Sequence, residues 1–383
     1  MSMKIVYVYS TLAKAGGTER MIAEKANFLS EHYGDDVTII SCIQQKDDEN
    51  SFYTSKKVKQ INLGIPFFHQ YKYKYPRRLW YKWRYNRMMK KGIRNAVKQE
   101  NPDILIGVSR FKADFVSKIK CRAKKVIECH ETRYNTRFDA SIKQSAFVRF
   151  FAAIHGYFYF RTIERYADVV VTLTEGDEKL WKKAKRTVII PNFPATTMSQ
   201  YSNCTSKRVI AVGRLAWEKG FERLIKIWSI VSSKHPDWHL DIFGEGPMRG
   251  TLMEMVKHYQ ISNLTIHNCT SSISQEYANS SICTSTSFFE GFPLVLLEAM
   301  NHGVPCVSFD CPFGPRSIID DEVNGFLVKE GDIKRYAERL CLLIENENLR
   351  KQFSNSAIKK VKEAFDVNII MDKHRKLYEE MLN

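Results

Sequence analysis

The sequence predicts an α/β protein with two doubly wound parallel-sheet domains facing a cleft. Short apolar runs alternate with helical segments, the pattern of parallel strands joined by right-handed crossovers. The alternation occurs twice, in two halves of unrelated sequence. Between the halves lies a polar stretch, 195–206, after Pro191 and Pro194. These boundaries predict an N-terminal domain over 1–190, a linker over 191–206 and a C-terminal domain over 207–366.

The first βαβ unit contains a glycine loop. Residues 4–10 and 37–42 have the pattern of buried strands, and a helix is predicted between them. Gly16 and Gly17 occupy the turn before this helix, where a ligand could approach the backbone closely. The loop lacks a complete G-x-G-x-x-G motif, so a plain tight turn is the alternative interpretation.

A histidine follows one of the later strands of the first half. Strands are predicted at 102–108, 125–129 and 168–174, and His130 comes directly after the second of them. Such a residue points toward the ligand crevice of an α/β sheet, although a lone histidine is more often structural. The zinc-protease motif H-E-x-x-H does not fit, because its fifth position here is tyrosine.

The second half contains the stretch on which the functional prediction depends. A helix is predicted from Pro293, which fits the first turn, to about residue 302, with Gly303 just past its end. Glu290 precedes the helix and Glu298 lies within it. Backbone N–H groups gather at this helix N-terminus and favour an anionic or polar ligand. The residues expected there are Gly291, Phe292, Pro293 and Leu294.

Two cations follow the first strand of the second half. Arg214 and Lys219 lie five residues apart in a loop between a strand at 208–213 and a helix at 221–233. An arginine fork and a lysine point charge suit phosphate oxygens, while solvent-facing side chains are the alternative. The chain has no D-x-D motif, so we expect no metal site and no cofactor. Further strands are predicted at 240–244, 264–267, 281–284 and 304–309, and the last helices at 333–345, 347–364 and 367–382.

Composition limits the class of protein. The 383 residues are 44% hydrophobic and carry a formal charge of +17, which favours an anionic partner. Nine scattered cysteines without a C-x-x-C pair predict a reduced, cytoplasmic protein. The N-terminus enters a strand pattern directly, so no signal peptide is expected. The longest apolar stretch, 146–160, contains Arg149 and His155 and is too short and too polar to span a bilayer.

A basic, aromatic stretch at 70–98 has three interpretations. No acidic residue occurs between Glu49 and Glu100, and lysine and arginine alternate with tyrosine and tryptophan. The mixture suits an anionic membrane surface, single-stranded nucleic acid, or the solvated face of a helix. No nucleic-acid-binding module accompanies it, so we expect a membrane surface and no nucleic acid.

These motifs together resemble a known family. Phe289-Glu-Gly-Phe-Pro293 followed by Glu298 resembles the Glu-x7-Glu signature of the GT-B glycosyltransferases, which have two Rossmann-like domains, and in particular of retaining family 4. Gly213-Arg-Leu with Lys219-Gly220 is similar to the G-R…K-G pair of that family. Gly-Pro-Arg at 314–316 stands in register, although relatives often carry glutamate where Ser317 stands. The resemblance is strongest over 207–330.

The resemblance implies a role for each motif residue. Arg214 and Lys219 would grip the donor diphosphate, Glu298 the ribose, and Glu290 the transferred sugar. His130 would contact that sugar from the other domain, and Gly16 and Gly17 would face the donor phosphates and the acceptor. The final helix, 367–383, would pack back on the first domain.

The subgroup implies the substrates. Gly-Pro-Arg-x-Ile-Ile resembles bacterial enzymes of capsule, O-antigen or exopolysaccharide assembly, which implies a UDP-linked hexose donor and a lipid-linked or polysaccharide acceptor. Metal-independent transfer with retention, by a peripheral protein at the inner face of the membrane, follows from the same resemblance. Two alternatives remain: a non-catalytic membrane- or nucleic-acid-binding protein, and an epimerase or phosphorylase with the same fold.

Overall fold

The chain forms two compact units. The computed structural model describes residues 2–45, 47–109, 111–133, 146–195, 198 and 200–383, without the side chains of 146–149. The first unit comprises Met1–Ile190 and Met371–Asn383, and the second comprises Pro191–Ile370. Each unit is built on its own parallel sheet, as the alternation of strands and helices predicts.

The first unit has a seven-stranded sheet. Its strands are β1 (Lys4–Tyr9), β2 (Asp36–Ser41), β3 (Lys59–Asn62), β4 (Ile104–Val108), β5 (Lys124–Glu128), β6 (Val169–Thr172) and β7 (Thr187–Ile189). They lie in the order β3-β2-β1-β4-β5-β6-β7, and all pairs are parallel. The chain moves outward from β1 to β3 and then returns to β4 on the other side of β1. The strand order therefore reverses between β1 and β4, which is where doubly wound sheets open a crevice at their carboxyl edge.

Helices cover this sheet. They are α1 (Gly17–Glu31), α2 (Arg77–Glu100), α3 (Ala113–Ser117), α4 (Ala146–Tyr166) and α5 (Glu175–Glu178). In α2 the buried residues Tyr85, Met89, Ile93 and Ala96 recur at helical spacing and pack on the sheet core, and the opposite face is exposed. The 70–98 stretch therefore contributes an apolar stripe to the core as well as a solvent-facing surface.

The second unit has a six-stranded sheet. Its strands are β8 (Arg208–Val212), β9 (His239–Phe243), β10 (Leu264–His267), β11 (Ile282–Ser285), β12 (Cys306–Phe309) and β13 (Gly325–Val328). They lie in the order β10-β9-β8-β11-β12-β13, again all parallel. The order reverses between β8 and β11. The carboxyl ends of these two neighbouring strands lead into the loops that carry the charged motifs.

The helices of the second half are α6 (Phe221–Lys234), α7 (Arg249–His258), α8 (Ile273–Ala278), α9 (Leu294–Asn301), α10 (Ile333–Glu345) and α11 (Glu347–Ala364), followed by α12 (Val367–Leu382). The core of the second unit joins α6, α10 and the sheet, with Trp228 and Tyr336 among its largest buried side chains. Helix α9 begins one residue later than predicted, because Pro293 has an extended ψ of 91° and acts as its N-cap. Gly303 adopts the left-handed conformation expected just past the helix end.

The end of α12 belongs to the first unit. Arg375 donates to both carboxylate oxygens of Asp35 at 2.6 Å, and this ion pair is largely shielded from solvent. Tyr378 is fully buried, and Arg186 pairs with Glu380 at 2.7 Å. These contacts attach residues from the C-terminus of the chain to elements formed by its first half.

Among the residues that the structure describes, no helix has the length and apolar character needed to cross a bilayer.

Candidate active site

The loop after β8 has a fixed path. Leu215 is fully buried, and its N–H donates to the carbonyl of Glu245 at 2.8 Å. Gly244 is required nearby, because a Cβ at this residue would lie 1.9 Å from the carbonyl oxygen of Gly213. A short 3₁₀ turn, Trp217–Lys219, follows and ends at Gly220, whose φ is +63°. The loop therefore presents Arg214 and Lys219 from a fixed backbone.

This loop packs on the loop that follows β11. A Cβ at Gly220 would lie 2.1 Å from the carbonyl oxygen of Thr286, so the two backbones are in close contact. The Phe288 N–H donates to the carbonyl of Glu218 at 2.9 Å, and the ring of Trp217 stacks on that of Phe288 at 5.2 Å. The two loops after neighbouring strands thus form one structural block.

The block brings together two of the predicted site residues. Lys219 Nζ lies 2.7 Å from Glu290 Oε1, although the two residues are 71 positions apart in sequence. Ser287 donates from Oγ to the same carboxylate oxygen at 2.6 Å. Glu290 is mostly buried, whereas Lys219 keeps 24% of its side chain exposed. The ammonium group can therefore interact with a ligand while it holds the carboxylate in place.

Arg214 lies at the solvent-facing side of the same loop. Its side chain is 70% exposed, and its guanidinium donates to Glu218 four residues later. Partial burial acts to raise the pKa of the Glu218 carboxyl, but the hydrogen bond and charge of Arg214, together with a backbone hydrogen bond and the charge of Lys219, outweigh burial and the pKa is lowered. An exposed guanidinium with one weakly held partner can turn to an incoming phosphate.

The predicted helix N-terminus is closely packed. Phe292 is buried against Phe365, with ring centroids 5.8 Å apart, so its side chain belongs to the core. Gly314 contacts the segment directly: a Cβ there would lie 2.6 Å from Pro293 Cδ and 2.9 Å from Glu290 Cβ. This segment can therefore contact a ligand chiefly through its backbone. It comprises Gly291, Phe292, Pro293 and Leu294.

Glu298 is buried within α9. It is 5% exposed, and Tyr277 donates from its hydroxyl to Oε2 at 3.5 Å. The carbonyl of Glu298 also contacts His302, whose Nδ1 lies 2.8 Å away. Burial and the Tyr277 hydroxyl therefore restrict the orientation of the Glu298 carboxylate, while His302 contacts only its backbone.

Three supporting residues do not stand out in the sequence. Ser287 donates to the carboxylate of Glu290, and Tyr277 donates to that of Glu298. The position of Ser287 three residues before Glu290 is the one sequence feature that could have indicated its role. Arg223 donates to the carbonyl of Thr286, pairs with Glu330 and lies 3.8 Å from the ring centroid of Phe288. Arg223 thus supports the loop after β11 through Thr286 and Phe288, and no sequence motif indicates this role.

In the first unit, Gly16 and Gly17 are at the start of α1 as predicted, with Gly16 as the N-cap. The Glu19 carboxylate lies directly against this turn: a Cβ at Gly16 would be only 2.4 Å from Glu19 Oε2. Tyr9 donates to the other oxygen of Glu19 at 3.0 Å. The helix N-terminus thus has a carboxylate beside it, and a bound phosphate would have to displace that side chain.

His130 lies at the carboxyl end of β5, within a buried cluster of ionisable groups. Its Nε2 is 3.1 Å from Glu128 Oε2, and Lys25 Nζ is 3.0 Å from the same oxygen. Burial lowers the pKa of His130 against the opposing effect of Glu128, so the ring is neutral and donates from Nε2. Its Nδ1 is buried and has no hydrogen-bond partner among the described residues.

The structure thus groups the predicted residues by unit. Lys219 and Glu290 are in direct contact in the second unit, with Arg214 in the same loop and Glu298 in the helix that follows. His130, Gly16 and Gly17 follow the strands of the first sheet. A separate group of possible metal ligands, His235, Cys341 and Glu345, lies within 4.8 Å of one another in the second unit. None of the predicted site residues belongs to that group.

Comparison with known proteins agrees with the motifs. Residues 198–360 match the family described as glycosyl transferases group 1. An uncharacterized glycosyltransferase of Haemophilus influenzae is 29% identical over 92% of this chain and 94% of its own length. The amylovoran biosynthesis glycosyltransferase AmsD of Erwinia amylovora is 28% identical over 92% and 93%. These matches confirm the predicted resemblance to the group 1 glycosyltransferases, and the family match itself covers residues 198–360.

Solved structures show the fold. A Staphylococcus aureus TarM variant superposes with a TM-score of 0.77 and 14% identity over 98% of this chain and 99% of its own. Sucrose-phosphate synthase from Thermosynechococcus elongatus superposes with a TM-score of 0.79 and 16% identity over 99% of both chains. The predicted class, an α/β GT-B fold with two Rossmann-like parallel-sheet units, is therefore confirmed.

Proposed function

We propose that this glycosyltransferase moves a hexose from a UDP-linked donor to a lipid-linked or polysaccharide acceptor in the assembly of a bacterial surface polysaccharide. We further propose that the anomeric configuration is retained and that no metal is required. The observation that carries the proposal is the contact between Lys219 and Glu290 in the two packed loops of the second unit. It combines a partly exposed cation with an oriented carboxylate.

Each residue has a distinct role in this proposal. Departure of the nucleoside diphosphate builds negative charge on phosphate oxygens, and preorganised cations stabilise that charge without reorganisation. Lys219 supplies such a cation, Arg214 adds a second cation that turns to the phosphate, and Glu290 orients the sugar ring. Glu298 accepts hydrogen bonds from the ribose hydroxyls. His130 offers the Nδ1 lone pair as an acceptor for a sugar hydroxyl, because Nε2 donates to Glu128.

Relatives support the choice of donor and pathway. The TarM structure contains UDP, and so does the structure of HepE from Anabaena, which also contains glucose. AmsD is a biosynthetic enzyme of amylovoran, and a Salmonella typhimurium relative, 33% identical over 36% of this chain, is a lipopolysaccharide 1,6-galactosyltransferase. The UDP in the two structures supports the choice of donor, and the two enzyme names support a role in the synthesis of a polysaccharide or lipopolysaccharide.

The decisive experiment is a donor screen without metal. Purified protein is incubated with UDP-, GDP- and ADP-hexoses in excess EDTA, and nucleotide release is followed by mass spectrometry. We expect slow hydrolysis of a UDP-hexose and a rise in the thermal midpoint with UDP. No response to any nucleotide would count against a transferase, whereas isomerised or phosphorolysed sugar would indicate the epimerase or phosphorylase alternative.

We also propose that the surface of 70–98 contacts an anionic membrane from the cytoplasmic side. Exposed apolar side chains, among them Leu79 and Trp80, lie beside many cations, and Arg84 is 5.3 Å from the ring centroid of Trp80. Such mixtures suit the interface of an anionic bilayer. This contact would place a soluble active site near a lipid-linked acceptor.

A further inference from the structure

The exposed face of α2 contains a depression with an unusual lining. Its volume is about 470 Å³, within the range of small-ligand sites. Trp83, Arg87, Lys90, Lys91 and Arg94 line it together with Asn86. Residues 83, 87, 90, 91 and 94 follow one another at helical spacing, so their side chains share one stripe of the helix.

The cations of this stripe lack acidic partners. In the part of the chain that the structure describes, no carboxylate forms an ion pair with Arg87, Lys90, Lys91 or Arg94. Like charges at these spacings repel each other and destabilise a helix. Aromatic rings contact three of these cations instead: Arg87 lies 5.5 Å from the ring centroid of Trp83, and Lys90 and Arg94 lie 5.4 and 5.5 Å from that of Phe115. Four unneutralised charges in one concavity favour a multiply charged anion.

Asn86, the remaining polar residue of the lining, can also donate hydrogen bonds to a ligand. Lys112, which follows β4, donates from Nζ to Asn86 Oδ1 at 2.6 Å. Occupation of that oxygen leaves the Asn86 amide N–H groups as the part available to a ligand. Burial lowers the pKa of Lys112, an effect that Asp114 opposes and Lys90 reinforces. The side chains lining the depression thus offer hydrogen-bond donors, which suits a ligand whose polar surface consists of acceptors, as in a phosphate.

The length of the stripe indicates more than one phosphate. Arg87 and Arg94 are seven residues apart, which corresponds to about 10 Å along a helix axis. One end of the stripe continues into exposed apolar side chains: Trp83 is 57% exposed, and Leu79 and Trp80 precede it by about one turn. A ligand with a diphosphate and an attached apolar chain would match both parts.

We propose that this depression binds the diphosphate of a lipid-linked acceptor, with the lipid chain directed along Trp83 toward Leu79 and Trp80. The choice of an acceptor lipid rests on the proposed function, whereas the preference for a diphosphate rests on the lining residues alone. The site would hold the acceptor by its anchor, separately from the donor residues of the second unit.

The test measures binding of inorganic pyrophosphate and of farnesyl diphosphate in detergent by calorimetry. The wild type should bind both, and farnesyl diphosphate at least tenfold more tightly. K90Q/R94Q should weaken both by about 30-fold, since each lost charge-assisted contact is worth roughly a factor of five to ten. The matched variant K82Q/K98Q removes two charges from the same helix outside the depression and should change either affinity less than threefold.

Several outcomes would overturn the proposal: no pyrophosphate binding, equal weakening in the two variants, or farnesyl diphosphate bound no better than pyrophosphate. Displacement of pyrophosphate by an equal concentration of glycerol 3-phosphate would assign the site to phospholipid headgroups, and displacement by a single-stranded oligonucleotide would assign it to nucleic acid. UDP binding is measured in parallel and should be equal in all variants. If UDP fails to bind the wild type while pyrophosphate binds at α2, the proposed function fails but the anion site stands.

Discussion

Among single residues, Lys219 is the one cation of the predicted site that contacts Glu290 in the described part of the chain. Its ammonium group contacts Glu290, which Ser287 also holds, and it retains partial exposure toward solvent. Removal of the ammonium would leave a mostly buried carboxylate with only a hydroxyl partner. In the proposed function the residue therefore has two roles, to bind a diphosphate and to keep Glu290 oriented.

We expect K219Q to reduce kcat/KM for donor turnover about a hundredfold, which corresponds to roughly 3 kcal/mol of transition-state stabilisation. The glutamine keeps a donor near Glu290 but has no charge for the leaving diphosphate. S287A, which removes one hydrogen bond and leaves the ammonium in place, should cost tenfold or less. Steady-state kinetics on both variants checks this, and equal losses would contradict a special role for the charge.

A second residue-level feature is the neutral state of His374. Burial lowers its pKa to about 3, Lys25 contributes to the lowering, and Glu128 opposes it. The unfolded chain takes up a proton near pH 6.5, which the folded protein does not accept. The contribution of neutral His374 to the free energy of unfolding is thus fully present above pH 6.5 and is lost progressively as the pH falls below that value.

The variant H374Q should lose part of this pH dependence. Between pH 7.5 and 5.5, one such histidine reduces the free energy of unfolding by about 1 kcal/mol, and the variant should show a correspondingly smaller decrease. The window lies above the range in which Glu128, whose pKa is lowered mainly by Lys25 against the effect of burial, changes its charge. Urea unfolding at the two pH values is the measurement, and an unchanged pH dependence would show that His374 is protonated in the folded state.

Among the elements, the loops after β8 and β11 depend on glycines for their close contact. Gly220 combines a left-handed conformation with a backbone approach to Thr286 that no side chain permits. The position of Lys219 in the site therefore depends on the neighbouring Gly220.

We expect G220A to destabilise the second unit by about 1–2 kcal/mol from its positive φ alone and to weaken UDP binding at least tenfold by separating the loops. G250A in α7 is the control, because a Cβ there meets nothing within 4 Å and alanine favours a helix. Thermal unfolding and UDP titration would distinguish the two. Normal UDP binding by G220A would mean that loop contact is not needed for the site.

Elements buried on both faces were the easiest to predict. β1, β8 and β12 are short apolar runs between turn signals, which is how interior parallel strands appear in sequence. The edge strand β3, Lys59–Asn62, is polar and half exposed and so has no clear pattern, and the edge strand β13 was not predicted, although its residues after Gly325 are apolar. Glu290 and Lys219 could be predicted by motif, but the hydroxyl of Ser287 and the support by Arg223 depend on tertiary contacts that a single sequence does not encode locally.

At the scale of the molecule, the charge of +17 is unevenly distributed, with α2 as its most concentrated part. We expect the protein to sediment with phosphatidylglycerol vesicles at low ionic strength and to be released as KCl rises toward 0.5 M, where screening shortens the range of electrostatic attraction to about 4 Å. L79S/W80S should weaken sedimentation several-fold. M253S, which replaces an exposed apolar residue of the second unit, should leave it unchanged. Indifference to anionic lipid would leave α2 as a solvated helix face outside its depression.

The attachment of α12 to the first unit has a consequence for biosynthesis. Asp35 is translated 340 residues before Arg375, which contacts it, and Glu128 is translated 250 residues before its partner Tyr378. The second unit is continuous in sequence and can complete its core first. The nascent first unit therefore keeps two partly unsatisfied carboxylates until α12 has been translated and has docked, and its folding cannot be completed earlier.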